Sequence, residues 1–130
     1  MMENTITVLM VEPGKHPYLK TVPHSLENLQ SLVGDYIMAT YPWEDEIGLI
    51  AGDNSLSDAS LEWNRYIDEY HFIRGNFYLV GLSRDDFTDI PMDLAKKYAE
   101  LFWMPESFVN IGGSLMVIRE DDGTKPSLDV

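Results

Sequence analysis

Carboxylates dominate the side chains in this sequence that could do chemistry, and they come in short runs at Glu44-Asp45-Glu46, Asp85-Asp86 and Glu120-Asp121-Asp122. Such carboxylates could serve as general acid and base or hold magnesium, and catalysis would need one of them buried enough to raise its pKa. Adjacent acids in loops are solvated, so no catalytic role is expected of these. Calcium binding at Asp53-Asn54-Ser55 fails on spacing, because Asp58 stands where the loop needs glycine and Asn64 where it needs glutamate. His16, His24 and His71 are too scattered for a metal set, and cysteine is absent, which removes thiolate ligands, disulfides and cysteine nucleophiles together. Pro13-Gly14-Lys15 is a turn with a lysine, without the glycine spacing that cradles phosphate. Ser83 and Ser114 lack a G-x-S-x-G elbow. No catalytic, metal or cofactor-binding residue is therefore expected, and no cofactor.

Two features remain as binding candidates. Asn64-Arg65 places a fork of donors in an acidic chain, and two readings stay open. Arg65 could pair with an internal carboxylate while Asn64 ties down a loop, or the pair could receive an anionic group in a pocket shared with Trp63. Most of the aromatic rings are expected in the core. Trp43 is the exception, because it sits among Glu44, Asp45 and Glu46 in a loop, where an exposed ring makes a good interface anchor.

The charge balance narrows the partners. The 130 residues hold 22 Asp plus Glu against 9 Lys plus Arg, a net charge of −13. Direct binding to phosphate backbones or anionic lipid needs clustered positive charge, so neither nucleic acid nor a membrane is expected as a ligand. The excess is uneven: residues 1–34 carry a net −1 and the remainder −12. Met1-Met2-Glu3-Asn4 lacks the basic start of a signal peptide, and no apolar run approaches the roughly 18 residues that cross a bilayer, so a cytoplasmic location is the expectation.

The elements that must position these residues follow from periodicity. Thr5 to Val11 is a β-branched and apolar run that reads as a strand buried on both faces, paired through the Pro13-Gly14 turn with Tyr18 to Val22. Ser25 is an N-cap for a helix with Leu26, Leu29, Leu32 and Val33 on one face, stopped at Gly34. Tyr36 to Tyr41, Ile47 to Ala51 and Asn76 to Leu82 read as strands. Trp63, Tyr66, Ile67 and Tyr70 fall at helical spacing and predict a short helix, although three aromatics also suit an extended segment. A second firm helix runs from about Pro91 to Trp103, and Ser114 to Arg119 forms a last strand after Gly112-Gly113. The expectation is a single α+β domain over 1–119, with a mainly antiparallel sheet of five to six strands and two principal helices. An acidic, flexible tail is expected at 120–130.

The opening Ile6-Thr7-Val8-Leu9-Met10-Val11-Glu12-Pro13-Gly14-Lys15, Leu26-Glu27-Asn28-Leu29-Gln30 leading to Val33-Gly34, Tyr41-Pro42, Asn64-Arg65 and the stretch from Ile73 to Gly81 together carry a resemblance. The chain resembles a small domain-of-unknown-function family of Gram-positive bacteria, their phages and conjugative elements. That resemblance implies a mobile-element accessory setting, in which inhibitors of host defence are frequent, and no chemistry.

Three roles follow. The first is a binding protein that engages a basic protein surface, such as that of a host nucleic-acid-binding enzyme, by imitating nucleic acid as anti-restriction and anti-CRISPR inhibitors do. Duplex DNA presents one charge per roughly 1.7 Å of axis, so imitation needs rows of exposed carboxylates. Glu44, Asp45, Glu46, Asp85, Asp86, Asp89 and Asp93, with Trp43, would supply one if they share a face. The second role is a small-molecule or regulatory module with its pocket near Trp63 and Arg65. The third, a small enzyme, is disfavoured by the missing motifs.

Overall fold

The computed structural model describes residues 4–68 and 71–128. β1 (Thr5–Val11) and β2 (Tyr18–Pro23) form the first hairpin, followed by α1 (Leu26–Ser31), β3 (Ile37–Thr40) and β4 (Ile47–Gly52). Next come β5 (Trp63–Asp68), β6 (His71–Arg74), β7 (Phe77–Leu82) and β8 (Phe87–Thr88). α2 (Met92–Phe102), β9 (Glu106–Ile111) and β10 (Ser114–Arg119) complete the order. The main sheet has 6 strands in the order β2-β1-β7-β4-β3, with β8 on β7, and all its pairings are antiparallel. This is the α+β class that the alternation of hairpins and helices predicts.

The sheet is covered on both sides, which is why its central strands are largely apolar. Ile6, Val8 and Met10 of β1 join Tyr78 and Val80 of β7 on the α1 side, against Leu29 and Leu32. Leu9, Val11, Phe77 and Leu79 face the other way, against Ala95, Tyr98, Ala99 and Phe102 of α2. Each fully buried aliphatic side chain contributes about 1.5–3 kcal/mol. α1 starts where the Ser25 Oγ accepts from the Asn28 N–H at 3.2 Å, and the chain leaves it through Gly34 at φ 70°, a left-handed position that favours glycine. α2 begins after Pro91, and its buried residues at i, i+3, i+4 and i+7 form one face.

Trp63 to Ile67 is a strand, not a helix. β5 pairs with β6, and the Trp63 ring meets Phe72 edge-on at 6.1 Å and stacks on Phe108 of β9 at 5.1 Å. These cross-strand ring contacts outweigh the helical spacing of the same aromatics. Tyr70 lies outside the described residues. β9 has no counterpart in the sequence reading; it pairs with the expected last strand, β10, through a turn at Gly112 and Gly113.

Residues 120–128, expected as a flexible tail, have no regular secondary structure but are tied to the domain. The Trp103 Nε1–H donates to the Thr124 Oγ1 at 2.9 Å, the His16 Nε2 lies 2.7 Å from the Asp122 carboxylate, and Leu128 packs against the core. Asp129 lies outside the described residues.

Candidate functional site

Asn64 and Arg65 are neighbours on a strand, so strict alternation would turn them to opposite faces. A register shift between Trp63 and Arg65 breaks that alternation, and both side chains are 0% exposed. The Asn64 Nδ2 donates to the carbonyls of Val11 and Gly75, both at 2.9 Å. Arg65 donates from Nη1 to the Asn64 Oδ1 at 2.9 Å, from Nη2 to the Lys15 carbonyl at 2.7 Å, and from Nε and Nη2 to the Phe102 carbonyl at 3.2 and 2.9 Å. The guanidinium thus fills the C-terminal end of α2, where carbonyls lack helical partners and the helix dipole favours a cation.

Burial pulls the Arg65 guanidinium down to about 10, with the charge of Glu106 opposing the shift. It stays protonated at neutral pH. The expected internal carboxylate is replaced by main-chain carbonyls from separate elements. Because no part of Arg65 is exposed, it offers no edge to a ligand, and the Trp63 ring beside it is covered by the Arg74 guanidinium at 3.6 Å. Arg65 is thus enclosed by the protein's own carbonyls and the Asn64 amide. An apolar hollow of about 240 Å³ lies elsewhere, lined by Met38, Thr40, Leu49, Leu56, Ile67 and Ile73 among others.

The strand register decides where the acids go. β4 starts beside the end of β7, with Ile47 opposite Gly81 and the Leu82 N–H donating to the Glu46 carbonyl at 3.3 Å. That contact sets the 41–46 loop beside the 83–86 loop. Residues 88–90 then wedge between β7 and β1: Thr88 pairs with Gly81, the Thr7 N–H donates to the Asp89 Oδ1 at 2.7 Å, and the Ile90 N–H donates to the Thr7 carbonyl at 3.0 Å. Gly81 permits this approach, since a Cβ there would stand 2.3 Å from the Asp89 carbonyl oxygen. The wedge delivers α2, with Asp93 in its first turn, to the same end of the sheet.

Glu44, Asp45, Glu46, Asp85, Asp86, Asp89 and Asp93 are therefore gathered at one end, but not in one state. Glu44, Glu46, Asp85, Asp86, Asp89 and Asp93 are exposed, and the first three and Asp93 have no side-chain bond among the described residues. Asp45 is held by the Lys97 Nζ and the Tyr98 hydroxyl, both at 2.7 Å, and these bonds keep its carboxyl below the usual carboxylate range. Burial, reinforced by Asp45, pushes the Tyr98 phenol well up. Asp86 lies 3.5 Å from the His24 Nε2, and Asp89 serves the wedge. Arg84 and Lys97 supply positive charge to the same region. Trp43 is half-buried, tilted on Tyr98 at 4.6 Å and edge-on to Phe102 at 5.9 Å, so it joins the 41–46 loop to α2 and is not a free anchor.

Residues 6–103 match DUF3846, a domain of unknown function. The chain belongs to the DUF3846 family. No curated protein and no solved structure matches it. The DUF3846 match contains the acidic end and the Asn64-Arg65 pair and stops at Trp103, the residue that caps α2. β9, β10 and the 120–128 segment lie beyond it. They reach back onto the DUF3846 region through Phe108 on Trp63, through Glu106, whose Oε1 accepts the Tyr66 N–H at 2.8 Å, and through a cluster absent from the sequence reading. In that cluster His16 stacks on Trp103 at 4.3 Å and places Nδ1 2.6 Å from the Trp103 carbonyl and Nε2 beside Asp122. Its parts come from distant stretches of chain, His16 and the adjoining Thr124 being 108 residues apart, so no local signal links them. Among the described residues no group of His, Asp or Glu is placed to hold a metal ion, and no helix is long and apolar enough to cross a membrane.

Proposed function

We propose that this protein is a non-enzymatic binding protein that presents the acidic end of its sheet to a basic protein surface. The observation that carries the reading is the gathering of the exposed Glu44, Glu46, Asp85 and Asp93 by the β4–β7 register and the 88–90 wedge. None of these four side chains is used to close the core, and a net charge of −13 steers the molecule toward positive surfaces and away from phosphate. The partner we propose is a host nucleic-acid-binding enzyme whose basic cleft is occupied in place of DNA, a role that fits a phage or mobile-element accessory protein.

Purified restriction and CRISPR nucleases, assayed for DNA cleavage with increasing amounts of the protein, test this directly. Inhibition that is relieved by added salt is the expected result, because interactions between exposed charges are screened within about 10 Å at 0.1 M. Cleavage unaffected across the panel, or inhibition indifferent to salt, would overturn the reading.

A further inference from the structure

The two outer strands of the main sheet, β2 and β3, end it differently. On β2 the His24 N–H donates to the Asn4 carbonyl at 2.9 Å, which sets the phase of the ladder with β1 and turns the main-chain groups of Leu19, Thr21 and Pro23 away from it. Pro23 has no N–H to offer there, and Lys20 stands on the same strand; both are devices that keep an outer strand from pairing further. On β3 the Asp53 N–H donates to the Tyr36 carbonyl at 2.7 Å, so Met38 and Thr40 are the bonded partners of Ala51 and Leu49, and the N–H and C=O of Ile37 and Ala39 turn outward. Among the described residues no strand pairs with that edge. From Tyr36 to Tyr41 it carries neither proline nor a charged side chain. Met38 and Thr40 instead line the apolar hollow, with Leu49, Leu56, Ile67 and Ile73 among its other walls.

We infer that the β3 edge is a strand-addition site for an extended segment of a basic partner chain, with an aliphatic side chain of that segment seated in the hollow. Unpaired N–H and C=O groups at strand spacing are matched by another extended backbone, and a hollow beside the edge receives alternate side chains of the added strand. Charge selects whose backbone it is. Residues 21–64, which supply β3, β4, the loop between them and Leu56, hold eight Asp or Glu and no Lys or Arg. A segment carrying Lys or Arg is drawn to such an edge, and a second copy of this chain is repelled from it. The inference goes beyond the acidic-end reading and does not rest on it, because main-chain bonds hold the segment and Glu44, Glu46, Asp85 and Asp93 make none of them.

Selection of a phage-displayed library of random heptapeptides on the full chain tests it. The expected winners alternate aliphatic residues with Lys or Arg. A synthetic winner should lose about tenfold in affinity when alternate amides are N-methylated in one phase and little in the other, since only one phase faces Ile37 and Ala39. Ala39→Pro removes an outward N–H and leaves the bonds of Met38 and Thr40 to β4 in place, so it should weaken binding by about fivefold. Leu56→Lys, at an exposed wall of the hollow, is a second variant that leaves the ladder untouched and should weaken binding too. A library without enrichment, winners that bind both variants as they bind the native chain, or N-methylation that costs the same in both phases would overturn the inference. Self-association of the native chain that Ala39→Pro abolishes would overturn it as well, by assigning the edge to a second copy. Nuclease inhibition is read separately on the same variants, so either reading can fail alone.

Discussion

Arg65 and the carboxylates at the end of the sheet are both charged, and the molecule uses them in opposite ways. Arg65 has no exposed surface, and its donors reach the carbonyls of Lys15 and Phe102 and the Asn64 amide, so β5, the β1–β2 turn and the end of α2 meet at one cation. Glu44, Glu46, Asp85 and Asp93 stand in water. Between these extremes Asp45 bonds to Lys97 and Tyr98 and fastens its loop to α2. A residue's chemical type did not decide its role here. What decided it was whether the backbone supplied partners: where carbonyls converge the charge is framework, and where they do not it stays in solvent.

The contrast breaks most severely at Arg65. Arg65→Met should lower the unfolding free energy in urea by roughly 3–5 kcal/mol, since each buried acceptor left unpaired costs about 1–3 kcal/mol. Arg65→Lys should recover only part of this, because an ammonium cannot reproduce the planar fork. If either variant unfolded like the native chain, Arg65 would not be framework.

Gly81→Ala should follow, with a loss of about 1–3 kcal/mol from driving a methyl group into the Asp89 carbonyl. Amide exchange should show the damage spreading from Thr7 and Ile90, whose bonds hold the wedge. An alanine variant of native stability would mean the 88–90 segment yields freely and does not fix the acidic end.

Asp45→Asn should have a smaller, pH-dependent effect. Its carboxyl is held below its ordinary value, mainly by Lys97 and then by Tyr98, so its stabilisation is present above the unfolded value of about 4 and is lost as pH falls through the lower folded value. The Tm of the variant should lie below that of the native chain at neutral pH and converge with it in acid. A constant gap across that range would assign the effect to packing.

Smallest of all should be the stability effect of Glu44→Gln, Glu46→Gln and Asp85→Asn, whose Tm should hold or rise slightly as like-charge repulsion is relieved. Asp93→Asn should show a slight loss, because Asp93 stands in the first turn of α2.

Much of the framework was legible because it is local. Apolar residues from Ile6 to Val11, broken only by Thr7, announce a strand covered on both sides, and Ser25, Gly34 and Pro91 punctuate the helices through chemistry within a few residues of each cap. The β5–β6 ribbon was not legible, since the contacts that make Trp63 extended come from Phe72 and from Phe108 on β9. The partners of Arg65 were hidden for the same reason: its bonds to Phe102 and Lys15 span 37 and 50 residues, and a main-chain carbonyl leaves no trace in residue identity. The acids of the candidate face could be named from sequence, but their sorting could not. Trp43 and Asp45 are drawn onto α2 by Tyr98 and Lys97, which a reading of the loop alone does not see.

One comparison tests the proposed binding role most directly: binding of the native chain and of the combined Glu44→Gln, Glu46→Gln, Asp85→Asn and Asp93→Asn variant to a nuclease that the native chain inhibits, titrated at low and high salt with the Tm of each recorded alongside. The prediction is a variant that melts like the native chain, binds far more weakly at low salt, and loses its remaining difference from native at high salt. Equal binding by the two proteins at low salt would contradict it, because the exposed carboxylates would then have no part in recognition.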